Sequence, residues 1–189
     1  MARKIKFSKE DILKGGISFV KEYGEEKLCA RDVAAYIGCS TQPIFKNYKN
    51  FFEFKLDIKK ELYNEYKIFI NNMIDKNHYL FSISYAYALF AKQEENVFKF
   101  LFNSDLSSIR TIEDIKNAIQ NQVVINYTIK EFDISLKDAE ELFINIRFFT
   151  HGIATQLSIG TLKIDDESLK KLIEKTIITL LGGMYEKDI

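Results

Sequence analysis

The chain has 189 residues, 47% of them hydrophobic, which is enough for a real core and excludes a disordered or low-complexity protein. One proline and eight glycines leave little material for hairpin turns, so helices are predicted throughout. Net charge is zero, yet residues 1–60 hold 13 Lys or Arg against 8 Asp or Glu and the remainder 14 against 19, an asymmetry that fits a polyanion partner for the first third alone.

Cys29 and Cys39 are the only cysteines, which argues against a disulfide framework and for a reducing compartment. The start, MARKIKFSKED, is basic but lacks the apolar run of a secretory signal, so a cytoplasmic protein is expected. The uncharged run NHYLFSISYAYALFA at 77–91, which no other exceeds in length, falls short of the roughly 20 apolar residues of a membrane span. It reads as a buried helix, and no membrane partner is expected.

In chain order, Ser8-Lys9-Glu10-Asp11 resembles a capping box and opens a helix near Lys9. Ile12, Gly16, Phe19, Val20 and Tyr23 repeat at helical spacing before Gly24 ends it. Gly15-Gly16 costs roughly 1 kcal/mol per glycine against alanine, which reads as permission for a close helix crossing or as drift. Leu28, Val33, Ala34 and Ile37 form a second short stripe closed by Gly38.

Ser40 is the predicted N-cap of a third helix. That places Pro43, the only proline, at its third position, where an amide has no intrahelical acceptor. Ile44 and Phe45 would anchor this helix, leaving Thr41, Gln42, Lys46 and Asn47 outward.

A long helix follows from Phe54 through Met73, then stripes at Leu80 to Phe90 and Val97 to Phe102. Ile112, Ile115, Ile119, Val123 and Tyr127 read as one further stripe. Ser135 and Asp138 repeat the capping pattern before Ala139, Leu142, Phe143, Ile146, Phe149, Ile153, Ala154 and Leu157. A last helix carries Leu169, Ile173, Ile177 and Leu181, with Gly182-Gly183 behind it. No strand period is present, so the fold class is all-α.

Leu28-Cys29-Ala30-Arg31-Asp32-Val33-Ala34, then Ile37-Gly38-Cys39-Ser40, Ile44-Phe45, Tyr48 and Asn50 resemble the helix-turn-helix signature of tetracycline-repressor-like (TetR family) transcriptional regulators, over about residues 8–60. His151-Gly152-Ile153-Ala154 with Leu157 and Gly160 is similar to a segment common in their C-terminal domains. The resemblance implies a three-helix DNA-binding domain over residues 1–50 and a helical effector-binding and dimerisation domain over 51–189. It implies a homodimer on a near-palindromic double-stranded operator, and a repressor released by a small apolar or aromatic effector.

Departures from the family pattern are specific: Cys29, Phe45 and Phe51 stand where the family usually has Thr, Tyr and Lys. Each removes a donor for DNA phosphates, and Lys46, Lys49, Lys55 and the Arg3-Lys4-Lys6 arm are the candidate substitutes.

The candidate DNA-contacting residues are Arg31, Ser40, Thr41, Gln42, Lys46, Asn47, Tyr48 and Lys49. Gln pairs bidentately with adenine, Lys reaches guanine acceptors, and Thr meets a thymine methyl or a phosphate. Candidate effector contacts are Tyr85, Tyr87, Phe98, Phe102, Tyr127 and His151, although an aromatic stripe is first of all core.

His151 reads alternatively as one end of an interhelical hydrogen bond. His78 and His151 have no acidic or cysteine partner at metal-ligand spacing, so neither a metal nor another cofactor is expected. Ser168-Leu169-Lys170-Lys171 matches one penicillin-binding-enzyme motif without its companions, and no phosphate loop or nucleophile elbow is present, so the chain is not expected to be an enzyme. Two alternatives stand beside the regulator: a structural or division-control DNA-associated protein of this fold without a ligand switch, and a helical enzyme or carrier that has abandoned DNA.

Overall fold

The structure, a computed structural model, describes residues 7–104 and 110–185. Within them the order is α1 (Lys9–Tyr23), α2 (Ala30–Ile37), α3 (Gln42–Asn47), α4 (Phe51–Met73), α5 (Tyr79–Gln93), α6 (Glu95–Phe102), α7 (Ile112–Asn117), α8 (Ile119–Phe132), α9 (Leu136–Ser158) and α10 (Asp166–Tyr185), with no strand among the described residues. The chain divides into two compact units, residues 1–67 with 96–107 and residues 68–95 with 108–189.

Local chemistry sets the helix starts in the first unit. The Asp11 amide donates to Ser8 Oγ at 3.1 Å and the Ser8 amide to the Asp11 carboxylate at 2.9 Å, completing the predicted box at α1. The Ser8 hydroxyl, donating to the Asp11 carboxylate at 2.7 Å, and then the Ser8 amide hold that carboxyl below its usual range. Cys29 caps α2, its Sγ accepting the Asp32 amide at 3.5 Å. Gly38 ends that helix at φ 80°, where a side chain would be strained.

The start of α3 differs from the predicted one. The N-cap is Thr41, not Ser40, which moves Pro43 into the second helical position. Thr41 has helical backbone angles, φ −69° and ψ −15°, and makes no side-chain cap bond. Instead its carbonyl receives both the Ile44 and the Phe45 amides, at 3.1 and 3.3 Å. Pro43 still sacrifices no hydrogen bond. Next, Asn50 Oδ1 accepts the Glu53 amide at 2.9 Å and Glu53 Oε2 accepts the Lys49 amide at 3.0 Å, which opens α4.

The glycine pair in α1 sits at two close approaches. A Cβ on Gly15 would run into the Ile37 side chain of α2, and one on Gly16 would stand 2.5 Å from Phe54 Cζ and 2.7 Å from Ile58 Cδ1 of α4. Phe54 and Ile58 are fully buried, so neither ring nor methyl has room to yield. Lys9–Asp57 at 2.9 Å, Lys21–Glu65 at 2.6 Å and Lys55–Glu25 at 2.7 Å add ion pairs around this core.

The second unit is built on α5, α8, α9 and α10, whose core includes Leu80, Leu89, Ile125, Leu142, Ile146, Leu157, Leu169 and Ile173. Buried hydroxyls on α5 and α8 bond back along their own helices, Ser84 to the Leu80 carbonyl at 2.7 Å and Thr128 to that of Val124 at 2.9 Å. The start of α5 is capped from outside: Glu131 of α8 accepts the Leu80 amide at 3.4 Å. Burial pushes the Glu131 carboxyl above its usual range despite that bond.

Two predicted stretches end up different. The stripe from Ile112 to Tyr127 is two helices, broken where Ala118 takes an extended conformation, φ −61° and ψ 130°. The freed carbonyls of Ile115 and Lys116 accept side-chain amides from Asn121 and Gln122, at 2.7 and 2.8 Å, so the break leaves no orphan there. The face that α8 buries carries Asn121, Val124, Ile125 and Thr128, while Ile119 is 84% exposed. Gly182 and Gly183 lie inside α10, which continues to Tyr185.

Gly16→Val should overpack the Phe54–Ile58 contact and cost about 1–3 kcal/mol, although valine propagates a helix better than glycine. Urea unfolding monitored by circular dichroism measures it; an unchanged or raised midpoint would show that the crossing has slack.

Candidate nucleic-acid interface

A six-residue helix cannot hold itself in water, so the position of α3 rests on its contacts. Ile44 is fully buried and Tyr48, just past the helix, is 5% exposed. The Tyr48 ring lies 4.9 Å from that of Phe54, with Lys9 Nζ 4.7 Å above it. Burial, with the Asp57 carboxylate adding to it, pushes the Tyr48 phenol well above its ordinary pKa. Tyr48 is therefore a core residue in this structure, not part of the outward face.

With Ile44 and Tyr48 inward, Ser40, Gln42, Phe45, Lys46, Lys49 and Asn50 are exposed and Thr41 is half-buried. Between Asp32 and Glu53 the sequence contains Lys46 and Lys49 and no acidic residue, so this stretch is net positive, with the Glu53 carboxylate held on the Lys49 amide at its end. Arg31, in the first turn of α2, is exposed as well. Asn47 is turned inward by its own helix, Nδ2 donating to the Pro43 carbonyl at 2.8 Å. Lys55 is held in its half-buried pair with Glu25. Arg3, Lys4 and Lys6 lie outside the described residues. Phe45 is 50% exposed and presents a bare ring without a hydroxyl.

The six candidate effector contacts are divided between the two units, Phe98 and Phe102 in the first and the other four in the second. Phe98 and Phe102 pack together in the first unit, rings 5.1 Å apart, with Tyr66 5.0 Å from Phe102. In the second unit Tyr127 stacks flat on Tyr79 at 4.2 Å, and Tyr85 on Phe81 at 6.2 Å with Lys170 Nζ 5.0 Å from the Tyr85 ring. Tyr87 and His151 meet, Oη to Nδ1 at 2.9 Å, joining α5 to α9.

Burial first, and then the positive charge of Arg147, holds the His151 imidazolium below the ordinary histidine range; burial pushes the Tyr87 phenol up. Arg147 was not among the predicted residues. An arginine on a helix reads in sequence as a surface charge, and only its position one turn before His151 reveals its company.

Among the described residues no group of His, Cys, Asp and Glu could hold a metal ion, and no helix is long and apolar enough to cross a membrane.

No family model matches the sequence, and no curated protein matches it. Among solved structures the chain is similar to the crystal structure of a TetR-like transcriptional regulator from Rhodococcus sp. RHA1, with a TM-score of 0.66 and 12% identity, over 97% of this chain and 99% of that one. The all-α, TetR-like fold is therefore shown over nearly the whole length.

Because the folded pKa of His151 lies below its unfolded value of about 6.5, the unfolded chain binds more protons as pH falls through that interval. The His151 contribution to stability is full above about pH 6.5 and is lost as pH drops through the depressed folded value. Urea unfolding at pH 7.0 and 5.5 should therefore show a larger loss for the parent than for His151→Gln. Equal losses would mean that the imidazole titrates as it does in the unfolded chain.

Proposed function

We propose that the chain is a homodimeric DNA-binding transcriptional regulator, a repressor released from its operator by a small effector, working in the cytoplasm on a near-palindromic site. The observation that carries this reading is the α3 surface: exposed Gln42 and Lys46 on a helix fixed from behind by Ile44 and Tyr48, with Lys49 beside it and no carboxylate between Asp32 and Glu53. The TetR-like fold of the Rhodococcus protein supports it.

In this reading Gln42 and Lys46 address base edges, with Thr41 and Ser40 at the backbone of the same groove. Arg31 and Lys49 address phosphates. Tyr48 and Asn47 act from inside, one holding the helix against Phe54 and the other closing its last turn onto Pro43.

The dimer is assigned to α9 and α10. Phe148 and Gly152 share one face of α9 at i and i+4, Ile159 follows as its C-cap, and a Cβ on Gly152 would meet no atom within 4 Å. Phe148 is 50% exposed, Ile159 55% and, on α10, Ile178 62%, which is apolar surface for a twofold mate. Two reading helices so paired would address half-sites one turn of DNA apart, about 34–36 Å.

The test is salt-dependent binding to the DNA upstream of the protein's own gene. Gln42→Ala should relax preference at one base pair per half-site, at about 1–3 kcal/mol, whereas Lys49→Ala should weaken all sequences alike. The reverse pattern, or no salt-dependent binding, would sink this assignment.

Gly152→Leu should separate the protomers by overpacking, costing about 1–3 kcal/mol of association, and lower DNA affinity without touching DNA. Sedimentation at low concentration reads the first effect and a mobility shift the second. A variant that stays dimeric and binds as before would move the interface elsewhere.

A further inference from the structure

Glu140, Ile144, Arg147 and His151 follow each other at i, i+4, i+7 and i+11 and so form one stripe along α9. At its first end lies an open groove of about 370 Å³ between α7 and α9, with Ile112 and Ile144 as its apolar lining and Lys116, Lys137, Glu140 and Glu141 around them. Lys116 closes that end but carries no spare charge, since it is paired with Glu113 at 2.9 Å and with Glu140 at 2.8 Å.

At the other end stand Arg147 and the Tyr87–His151 pair. Arg147 is half-buried, and among the described residues no ion pair or hydrogen bond engages its guanidinium. Beside it in sequence, the Thr150 hydroxyl is likewise without a hydrogen-bond partner, on a residue only 2% exposed. A half-buried cation without a counter-charge is costly, and an anion that supplies one is correspondingly well held.

We infer that this stripe binds an amphipathic monocarboxylic acid, its carboxylate on the Arg147 guanidinium and its apolar chain along Ile144 into the groove towards Ile112. The inference deepens the regulator reading by naming the class of its effector. One cation flanked by a neutral phenol and imidazole matches a single negative charge, whereas a dianion would keep one charge uncompensated. Planar, forked hydrogen bonding suits a carboxylate. At the groove end Lys116 and Lys137 stand against Glu113, Glu140 and Glu141, so no positive charge is spare there for the acid's own group and the uncharged tail belongs at that end. From Glu140 to Arg147 the helix rises about 10 Å, the length of a medium-chain acid.

Octanoate is the probe and octan-1-ol its uncharged control, titrated into the full chain by calorimetry and by proton NMR of the two histidine rings. Octanoate should bind at least about tenfold more tightly than octanol. It should also raise the titration point of His151, by cancelling the Arg147 charge beside it, and leave exposed His78 unmoved. Arg147→Met should reduce octanoate to the octanol level without changing octanol.

Equal binding of acid and alcohol, no octanoate binding up to its solubility, or an Arg147→Met variant that binds as the parent would each overturn the inference. Should that variant fail to fold, the acid–alcohol difference and the His151 shift in the parent decide alone. Operator binding without ligand is measured in parallel: DNA binding without octanoate binding sinks only this inference, and octanoate binding without DNA binding sinks only the regulator reading.

Discussion

The outward surface of α3 depends on the burial of Ile44. The α3 helix is six residues long, and a segment of that length has neither the hydrogen bonds nor the cooperativity to persist in water. One fully buried isoleucine, with Tyr48 against Phe54 one turn later, gives it a fixed orientation. Gln42 and Lys46 then face outward because the helical period leaves them no other side. The same Phe54 meets Gly16 of α1, so the glycine that permits the α1 crossing and the tyrosine that ends α3 converge on one ring.

That dependence explains why the departures at Cys29 and Phe45 leave the scaffold intact. Cys29 still caps α2, accepting the Asp32 amide through sulfur, a weak acceptor but sufficient for one exposed helix end. Phe45 is exposed and anchors nothing, since Ile44 alone of the predicted pair is buried. The replaced groups therefore alter the chemistry of the surface and not its geometry.

Much of the fold was legible because it rests on short-range rules. Ser8 with Asp11 and Ser135 with Asp138 announce their helices through bonds that span three residues, and Gly24 and Gly38 end theirs by positive φ. Legibility fails where the deciding partner is remote or competes locally. The break at Ala118 depends on Asn121 and Gln122 accepting work that a continuous helix would have done, and an unbroken apolar period concealed it. Ser40 and Thr41 are both good caps by residue type, and only the backbone at Thr41 chooses between them. The partners of the candidate effector residues were hidden for a related reason: aromatic side chains are alike in sequence, and their neighbours come from elements far away in the chain. Tyr87 and His151 are 64 positions apart.

The α9 helix shows how one regular element separates several demands. Its inward face, from Ala139 through Ile146 to Leu157, is committed to the core of the second unit. Phe148 and Gly152 lie on another face, exposed, with exposed Ile159 just past the helix end, and Glu140, Ile144, Arg147 and His151 run between the two. Side chains on a helix keep fixed angular offsets of about 100° per residue, so a group bound along the middle stripe acts on the same rigid rod that presents the exposed one. A ligand that shifted or turned α9 by a fraction of a residue would displace Phe148 and Gly152 with it, because close-packed interiors transmit small movements instead of absorbing them. Effector and self-association would then be coupled through a single helix, with no relay of side chains between them.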